Sequence, residues 1–249
     1  MGDFSGRTGA ALVAGGSGGI GAAIVRLLAE HGSDVVVGYR SNQGAAEQVA
    51  EQARSYGASA TTLALDLDAE VDDVVAGLDL HTLVYAAGPM VPMTHLSRVG
   101  ADDMARQLAS DAAAFFRLVQ PALPSLRAHQ GSIVAVTTAA TDRFPVRDGL
   151  SSAPKAAVEA MVRALAVEEG RFGVRANSVG PGMLTDGMAQ RLISSGELDD
   201  RALEVTRANI PLRRFGRAVD VAEAVCFLAS DRAGFVTGQK LAVDGGYSA

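Results

Sequence analysis

A glycine-rich turn between an apolar segment and a helical segment constrains the fold of this chain more than any other feature. Residues Ala10–Ala14 form a short apolar run, the sequence GGSGGIG follows at Gly15–Gly21, and Ile20–His31 has helical spacing. Glycine allows a tight turn and a close approach between backbone and ligand, while a helix N-terminus offers unpaired N–H groups and a partial positive charge. Strand, turn and helix in this order indicate a dinucleotide-binding unit; an ordinary strand-to-helix loop is the alternative.

The alternation of apolar runs with helical patterns continues along the chain, and no linker-like stretch divides its 249 residues. Such alternation, with right-handed crossovers, predicts a doubly wound parallel sheet flanked by helices and ligands at the carboxyl ends of the strands. We therefore predict an α/β chain with a single-domain Rossmann fold over residues 1–249. Further strands are predicted at Asp34–Gly38, Ala60–Ala64, Thr82–Tyr85, Ser132–Val136 and Arg175–Val179, and further helices at Gly44–Tyr56, Asp68–Leu78, Asp102–Leu123, Ser152–Phe172 and Asp220–Ser230.

Charge and composition argue against several classes of function. The formal net charge of -6 disfavours a phosphate-backbone partner, so we expect no nucleic-acid binding. No apolar run reaches the length of a membrane span and Met1–Thr8 lacks the plan of a signal peptide, so we expect a cytoplasmic protein without a membrane partner. The single cysteine, Cys226, excludes a disulfide framework, and the four scattered histidines lack ligand spacing, so we expect no metal.

The residues after the second predicted strand indicate the form of the cofactor. An acidic side chain at position 39 would bind the ribose hydroxyls of NAD and repel a 2′-phosphate, but Tyr39 stands there. Arg40 adds a guanidinium, and Ser41 and Asn42 add polar donors. We therefore predict NADP(H) as the cofactor; the alternative is that Arg40 is only a solvated loop charge.

The chain resembles the short-chain dehydrogenase/reductase family from end to end. The spacing of Gly15, Gly19 and Gly21 is that of this family, and the sequence YAAG at Tyr85–Gly88 stands where the family has NNAG. The sequence VTGQKLAVDGGY at Val236–Tyr247 also matches the family. The resemblance is greatest to the acyl-carrier-protein and polyketide ketoreductases, and it implies an oxidoreductase that acts on a small-molecule carbonyl substrate.

The glycine turn, the Arg40 segment and the family resemblance together give the predicted cofactor-binding residues. Asp66 resembles the family aspartate that receives the adenine amine; its alternative role is to cap the helix predicted at Asp68–Leu78. Thr185 falls where the family has a threonine that bonds the carboxamide, and Met183–Asn209 resembles the family's substrate lid. The predicted set is Gly15, Ser17, Gly18, Gly19, Ile20, Gly21, Tyr39, Arg40, Ser41, Asn42, Asp66, Leu67, Ala86, Ala87, Gly88, Lys155, Pro181, Gly182, Met183, Leu184 and Thr185.

The predicted catalytic residues are Thr138, Ser151, Lys155 and Asp111, and three of them depart from the family. The resemblance implies a serine and a tyrosine that bind the carbonyl oxygen, a lysine that lowers the pKa of the tyrosine and binds the nicotinamide ribose, and an asparagine that anchors a relay water. Thr138 stands for the serine, Asp111 for the asparagine and Ser151 for the tyrosine, while Lys155 is retained. The alternative role of Asp111 is that of a polar residue at a subunit contact.

Ser151 does not replace the tyrosine directly, because an aliphatic hydroxyl is a much weaker acid than a phenol and its side chain is shorter. None of the four tyrosines, Tyr39, Tyr56, Tyr85 and Tyr247, lies at a spacing that restores the donor. The alternative role of Ser151 and Ser152 is to cap a helix opened by Pro154 and Lys155. The proton then comes from a water held by Ser151 and Lys155, from a protonated Asp111, or from a substrate hydroxyl, which we rank first.

The sequence therefore predicts an NADPH-dependent ketoreductase with a non-tyrosine proton source, acting on a phenolic or polyketide-type carbonyl compound. Two alternatives stay open: a redox-silent cyclase, isomerase or dehydratase, and a non-catalytic nucleotide-binding subunit. Arg143 and Arg147 are candidates for contact with an acidic substrate. Because family members are usually tetramers built through the helices predicted at Asp102–Leu123 and Ser152–Phe172, we expect a homo-oligomer, a tetramer or a dimer.

Overall fold

The protein is described by a computed structural model that covers residues 2–89, 91–186 and 200–249. Within these residues seven parallel strands form one sheet in the order β3-β2-β1-β4-β5-β6-β7. This order confirms the predicted single-domain, doubly wound α/β fold. The strands are β1 Ala10–Ala14, β2 Asp34–Tyr39, β3 Ala60–Ala64, β4 Leu80–Tyr85, β5 Ser132–Val136, β6 Arg175–Pro181 and β7 Lys240–Val243.

Helices on both faces of the sheet connect these strands. In the described part of the chain they are α1 Gly19–Glu30, α2 Gln43–Ser55, α3 Asp72–Ala76, α4 Ala101–Leu108, α5 Ala114–Ala128, α6 Gly149–Glu169, α7 Asp200–Ala208 and α8 Ala218–Ala229.

Two predicted helices differ from the structure, and one strand was not predicted. The helix expected at Asp68–Leu78 is confined to α3, and the one expected at Asp102–Leu123 is divided into α4, the π-helix Ala109–Ala113 and α5. β7 was not predicted, because it has only four residues and the middle two are exposed. None of the described helices is long and apolar enough to cross a membrane.

The core consists of two apolar layers, one on each face of the sheet. Alternate side chains of a strand point to opposite faces, so Val13 of β1 packs in the layer that contains Ile24 of α1, whereas Leu12 packs in the layer that contains Phe115 of α5. All six residues of the central strand β4 are buried, as expected for a parallel sheet covered on both faces. Full burial of each such aliphatic side chain contributes about 1.5–3 kcal/mol.

The strand order reverses at β1. β1 lies between β2 and β4. The chain adds β2 and β3 on one side of β1, and β4 to β7 on the other side. Ligands of doubly wound folds bind at this switch point, outside the carboxyl ends of the strands. The turn after β1 lies next to the segment after β4, where the Ala86 N–H donates to the Ala14 carbonyl, and Lys155 of α6 reaches the same segment at the Ala87 carbonyl.

Candidate active site

The glycine turn leaves the N-terminus of α1 open to a ligand. Gly18 is the N-cap, it has no side chain to cap the helix, and the first turn contains no acidic residue. A Cβ added to Gly15, where φ is +80°, would lie 2.7 Å from the Ala86 carbonyl oxygen, and one added to Gly21 would lie 2.1 Å from the Gly15 carbonyl oxygen. A helix N-terminus without a competing carboxylate, reached over backbone alone, fits the pyrophosphate of a dinucleotide.

The predicted residues for the adenosine end of the cofactor lie at the end of β2 and directly after it. Tyr39 is the last residue of β2, and Nη1 of Arg40 lies 3.9 Å from Oδ2 of Asp68. Both side chains of this pair are more than half exposed, at 66% and 54%. Asn42 caps α2, because its Oδ1 accepts a hydrogen bond from the Ala45 N–H at 3.0 Å. Of the three predicted donors, Asn42 uses its side-chain oxygen to cap α2, and Arg40 is the one that carries a positive charge.

Asp66 is an exposed residue of a turn after β3. Its Oδ1 accepts the N–H of Asp68 at 3.2 Å. The alternative role as a helix cap is wrong, because α3 begins at Asp72 and its N-cap is Val71. Leu67 is buried, so its contribution to a cofactor site is confined to backbone atoms and a small part of its side chain.

The segment after β4 leads from the glycine turn to Lys155. The Ala86 N–H donates to the Ala14 carbonyl at 2.9 Å, which joins the ends of β1 and β4. Nζ of Lys155 donates to the Ala87 carbonyl at 3.3 Å. A Cβ added to Gly88 would lie 3.5 Å from the same Nζ, an ordinary contact distance, so the ammonium lies next to this exposed glycine.

Lys155 forms an ion pair with Asp111 inside the protein. Nζ lies 2.9 Å from Oδ1 of Asp111, and the two side chains are 12% and 4% exposed. Asp111 lies in the π-helix Ala109–Ala113, a type of irregularity that often marks functional sites. Both groups that contact this carboxylate oxygen, the Lys155 ammonium and the Tyr85 hydroxyl, are donors, so Oδ1 is the acceptor in both hydrogen bonds.

Tyr85 belongs to this cluster, and sequence reasoning missed its contact. Its hydroxyl donates to Oδ1 of Asp111 at 2.9 Å and is 3.0 Å from the Asp111 carbonyl oxygen. Burial, together with the negative charge of Asp111, raises the pKa of Tyr85 above its usual range. Tyr85 therefore stays protonated and acts as a donor. The signal that would have found it is its position as the last residue of β4, at the ligand-binding edge of the sheet.

Thr138 and Ser151 lie at the starts of two neighbouring elements. Thr138 precedes the 3₁₀ turn Ala139–Thr141, its Oγ1 accepts the Ala140 N–H at 3.1 Å, and its carbonyl lies 3.1 Å from the Thr141 hydroxyl. Ser151 is the third residue of α6, and its hydroxyl has no hydrogen-bond partner among the described residues. No described hydrogen bond joins Thr138 or Ser151 to Lys155, so the structure assembles the four predicted catalytic residues only in part.

The expectation that Ser151 and Ser152 cap a helix opened by Pro154 and Lys155 is wrong. The N–H groups of both serines donate to the Asp148 carbonyl, at 3.0 and 2.9 Å, so helical hydrogen bonding begins one turn earlier, at Gly149. Asp148 is the N-cap, and burial raises the pKa of its carboxyl to about 6.

The two arginines predicted to meet an acidic substrate differ in their contacts. Nη1 of Arg143 donates to the Tyr247 carbonyl at 2.8 Å, and the guanidinium lies 4.6 Å from the centre of the Tyr247 ring. Arg143 therefore holds the C-terminal segment. Arg147 is exposed, has a left-handed backbone with φ of +72°, and its carbonyl accepts the Thr94 N–H at 3.1 Å.

The segment after β6 closes the described site. The Gly182 N–H donates to the Val243 carbonyl at 3.0 Å, and Leu184 forms a bridge with Gly216. The Thr185 hydroxyl lies 2.9 Å from Oδ1 of Asp186. The predicted lid Met183–Asn209 falls partly on residues 187–199, which lie outside the described residues; its last part contains α7.

Comparisons with known proteins match nearly the whole chain. A family model described as "Enoyl-(Acyl carrier protein) reductase" matches residues 14–248. Versicolorin reductase stcU of Emericella nidulans is 32% identical over 248 residues, covering 95% of this chain and 94% of that protein. The solved structure of LugOII, a promiscuous reductase that catalyses keto-reduction at C1 during lugdunomycin biosynthesis, is 29% identical with a TM-score of 0.87, covering 99% and 100%. A 2-deoxy-D-gluconate 3-dehydrogenase homologue from Agrobacterium tumefaciens, solved with bound NADP, is 27% identical with a TM-score of 0.86, covering 98% of each chain.

Proposed function

Because the chain belongs to the short-chain dehydrogenase/reductase family of oxidoreductases, we propose that it is an NADPH-dependent ketoreductase with a proton source other than tyrosine. The observation that carries the proposal is the position of Lys155. Its ammonium is held by Asp111 next to Gly88, an exposed residue of the segment after β4. A cation held at this place serves a ligand that carries hydroxyl groups or negative charge, and the ribose of a nicotinamide cofactor is such a ligand.

Several groups of the chain would hold the cofactor. The N–H groups of the turn Gly15–Gly21 would bind the pyrophosphate, Lys155 the nicotinamide ribose and Thr185 the carboxamide. When bound, the reduced nicotinamide supplies a hydride to a carbonyl carbon. The preference for NADPH rests on Arg40 and on the absence of an acidic side chain at Tyr39. The Arg40–Asp68 pair does not prevent this role, because an exposed pair at 3.9 Å contributes only about 0–1 kcal/mol and is readily exchanged for a phosphate.

The carbonyl oxygen of the substrate would be bound by two hydroxyls. Thr138 and Ser151 both carry a short side chain that donates a hydrogen bond, and the Ser151 hydroxyl has no partner in the described part of the chain. The ammonium of Lys155 supplies positive charge close to the place where an alkoxide develops. Ser151 itself is too weak an acid to provide the proton at a useful rate.

The proton source is therefore a water held by Ser151 and Lys155, or a hydroxyl of the substrate. Asp111 is disfavoured as the proton donor, because its Oδ1 already accepts from the Tyr85 hydroxyl and the Lys155 ammonium. Tyr85 is disfavoured as well, because it is 1% exposed and its pKa is raised. We rank the substrate hydroxyl first: a phenol next to the ketone supplies an acid within reach of the developing alkoxide. Phenolic polyketides carry this pair of groups, and the similarity to versicolorin reductase and to LugOII supports that substrate class.

The experiment that tests the proposal is a titration of the purified protein with NADPH and with NADH, followed by nicotinamide fluorescence. We expect micromolar binding with a clear preference for NADPH. Binding of neither cofactor contradicts the proposal and favours a redox-silent role on the same fold. A second assay compares an ortho-hydroxyaryl ketone with its methyl ether. Equal reduction rates for the two contradict substrate assistance and leave the water as the donor.

We also propose that the protein forms a homo-oligomer through α5 and α6, as members of the family often do. Each of these helices exposes a large apolar side chain: Phe116 of α5 is 51% exposed and Val167 of α6 is 83% exposed. A subunit interface formed by these two helices would cover both side chains. Light scattering coupled to size-exclusion chromatography measures the state directly, and a monomer would contradict the proposal.

A further inference from the structure

Two donors from different parts of the chain converge on one carboxylate oxygen. Oδ1 of Asp111 accepts from the Tyr85 hydroxyl and from Nζ of Lys155, each at 2.9 Å. The three residues come from β4, the π-helix and α6. The ammonium also lies 5.1 Å from the centre of the Tyr85 ring. Asp111 links the hydroxyl of the phenol to the ammonium, and the orientation of its carboxylate therefore contributes to where the ammonium lies.

We propose that Tyr85 is a positioning residue that fixes Asp111 and through it holds the Lys155 ammonium in front of Gly88. The proposal rests on the proposed function, since it assigns the held ammonium to the cofactor ribose. Tyr85 does not touch the reacting atoms, because its hydroxyl is occupied by Asp111 and the residue is 1% exposed.

The surroundings of Tyr85 suit it for this task. Its ring packs edge-on against Phe115, with 5.3 Å between ring centres, so the phenol is held by the core on a rigid strand. Its hydroxyl lies within 3.0 Å of the carbonyl oxygen and the carboxylate of the same residue, Asp111. A single donor thus contacts the backbone and the side chain of the π-helix residue, which restricts rotation of the Asp111 side chain.

Lys155 depends on such an anchor more than a rigid side chain would. Lysine has a flexible four-carbon stem, and its described acceptors at this end are the Asp111 carboxylate and the Ala87 carbonyl. The bond to Ala87 is long, at 3.3 Å. If Asp111 turns away, the ammonium loses its stronger partner and swings toward solvent.

The composition of the chain makes the proposal directly measurable, because Lys155 and Lys240 are its only lysines. Lys240 lies in a separate cluster with Glu159 and Asp142 and serves as an internal reference. The accessibility of each amine can be followed by acetylation with a water-soluble N-hydroxysuccinimide ester, with peptide mass spectrometry to quantify each site over time. This readout needs neither a cofactor nor a substrate.

The experiment compares wild type with Tyr85→Phe and with Thr82→Val. Thr82→Val is the matched control, because it also removes a buried hydroxyl from β4, one that lies three residues before Tyr85 and contacts His81 and Ser132. We expect Tyr85→Phe to raise the labelling rate of Lys155 relative to Lys240 by roughly 10- to 100-fold, as for loss of one hydrogen bond to a charged group. We expect Thr82→Val to leave this ratio unchanged.

Equal Lys155 labelling in wild type and Tyr85→Phe overturns the proposal, and so does an equal increase in Thr82→Val, which would indicate general loosening. If Tyr85→Phe does not fold, Asp111→Asn provides a second test. Unchanged labelling of Lys155 in Asp111→Asn contradicts the claim that Asp111 holds the ammonium. If Tyr85 acts through Asp111, the double variant shows no more labelling than Asp111→Asn alone. Labelling the wild-type protein again in the presence of NADPH separates the positioning role of Tyr85 from the proposed cofactor site. If NADPH does not slow the labelling of Lys155, the placement of the cofactor ribose at Lys155 is contradicted. The comparison between wild type and Tyr85→Phe remains valid in that case.

Discussion

Nζ of Lys240 lies 3.0 Å from Oε1 of Glu159, and the two side chains are 14% and 8% exposed. Oδ2 of Asp142 lies 2.5 Å from the same ammonium, and the Thr141 hydroxyl also contacts it. The Thr141 hydroxyl in turn lies 3.1 Å from the carbonyl oxygen of Thr138. This buried cluster joins β7 and α6 to the turn that begins at Thr138, so it supports one wall of the candidate active site.

Lys240→Met should destabilise the protein strongly, because it leaves the buried Glu159 carboxylate without its cation. Breaking one partner of a buried ion pair costs about 3–5 kcal/mol. Arg106→Met is the control: Arg106 pairs with Asp103 on the surface, with side chains 72% and 53% exposed, and its loss should cost about 0–1 kcal/mol. Urea unfolding measures both free energies. Similar small losses in the two variants would show that the Lys240 cluster does not stabilise the fold.

Asp148→Asn should stabilise the protein above pH 6. Burial raises the pKa of this carboxyl to about 6 from an ordinary value of 3.8, so the folded state holds the proton more tightly than the unfolded state. Stability is therefore lost as pH rises from about 4 to about 6, and the asparagine variant avoids this loss. After allowance for solvent screening we expect a gain of about 1–2 kcal/mol at pH 7.5.

The control for Asp148→Asn is the same comparison at pH 4, where both side chains are neutral in the folded state. Unfolding in urea at the two pH values measures the difference. A gain of equal size at both pH values would attribute the effect to the amide itself and not to the charge.

His81→Gln should weaken the acid sensitivity of the fold. Burial, followed by the charge of Arg7, lowers the pKa of His81 to about 4, and the ring contacts the hydroxyls of Ser33 and Thr82. The unfolded state takes up the proton near pH 6.5, so the contribution of His81 to stability is present above that pH and is lost as pH falls toward 4. The loss amounts to about 3 kcal/mol.

Unfolding free energies measured at intervals from pH 7 to pH 4 test this expectation. The slope of the unfolding free energy against pH should be smaller for His81→Gln, by an amount that corresponds to the uptake of at most one proton on unfolding. His129→Gln is a suitable control, because His129 pairs with Asp79 near the surface. An unchanged slope for His81→Gln would assign the acid sensitivity to other groups.

The fold was predictable because its signals are local. The glycine turn follows β1 directly, whereas the predicted roles of Thr138, Ser151 and Lys155 come from the resemblance to the family. The Tyr85–Asp111 contact was not predictable in this way, since its partners are 26 residues apart and meet only through the packing of the π-helix on β4. The start of α6 was misplaced because the chain offers two capping positions, and the Asp148 carbonyl, not a serine side chain, accepts the first helical hydrogen bonds.

Arg40→Ala should reduce the affinity for NADPH and leave that for NADH nearly unchanged. A guanidinium bound to a phosphate contributes about 1.5–3 kcal/mol, so the expected loss is roughly 10- to 100-fold. Asp68→Asn is the complementary variant: removal of the carboxylate 3.9 Å from Arg40 should leave NADPH binding equal or tighter. Fluorescence titrations with both cofactors measure the affinities. Equal losses for NADPH and NADH in Arg40→Ala would contradict a contact to the 2′-phosphate.

Ser151→Tyr should restore an acid at the position where the chain departs from its family. A phenol on the third residue of α6 would be on the same helix as Lys155, one turn before it, and the ammonium would lower the pKa of the phenol. General acid catalysis contributes about 10²–10⁴-fold, so reduction of simple ketones without a neighbouring hydroxyl should accelerate by at least about 10²-fold. Ketones that carry a neighbouring phenol should gain much less, because the substrate already supplies the proton.

Ser151→Phe is the control for the volume of the new side chain, since it adds the ring without the hydroxyl. The measurement is NADPH consumption with paired ketones, with and without the neighbouring hydroxyl, for wild type and both variants. Acceleration in Ser151→Tyr alone, and mainly for the ketone that lacks the hydroxyl, is the expected pattern. Equal gains for both ketones would show that wild type does not take its proton from the substrate, and similar rates in Ser151→Tyr and Ser151→Phe would show that a phenol at position 151 does not reach the reacting oxygen.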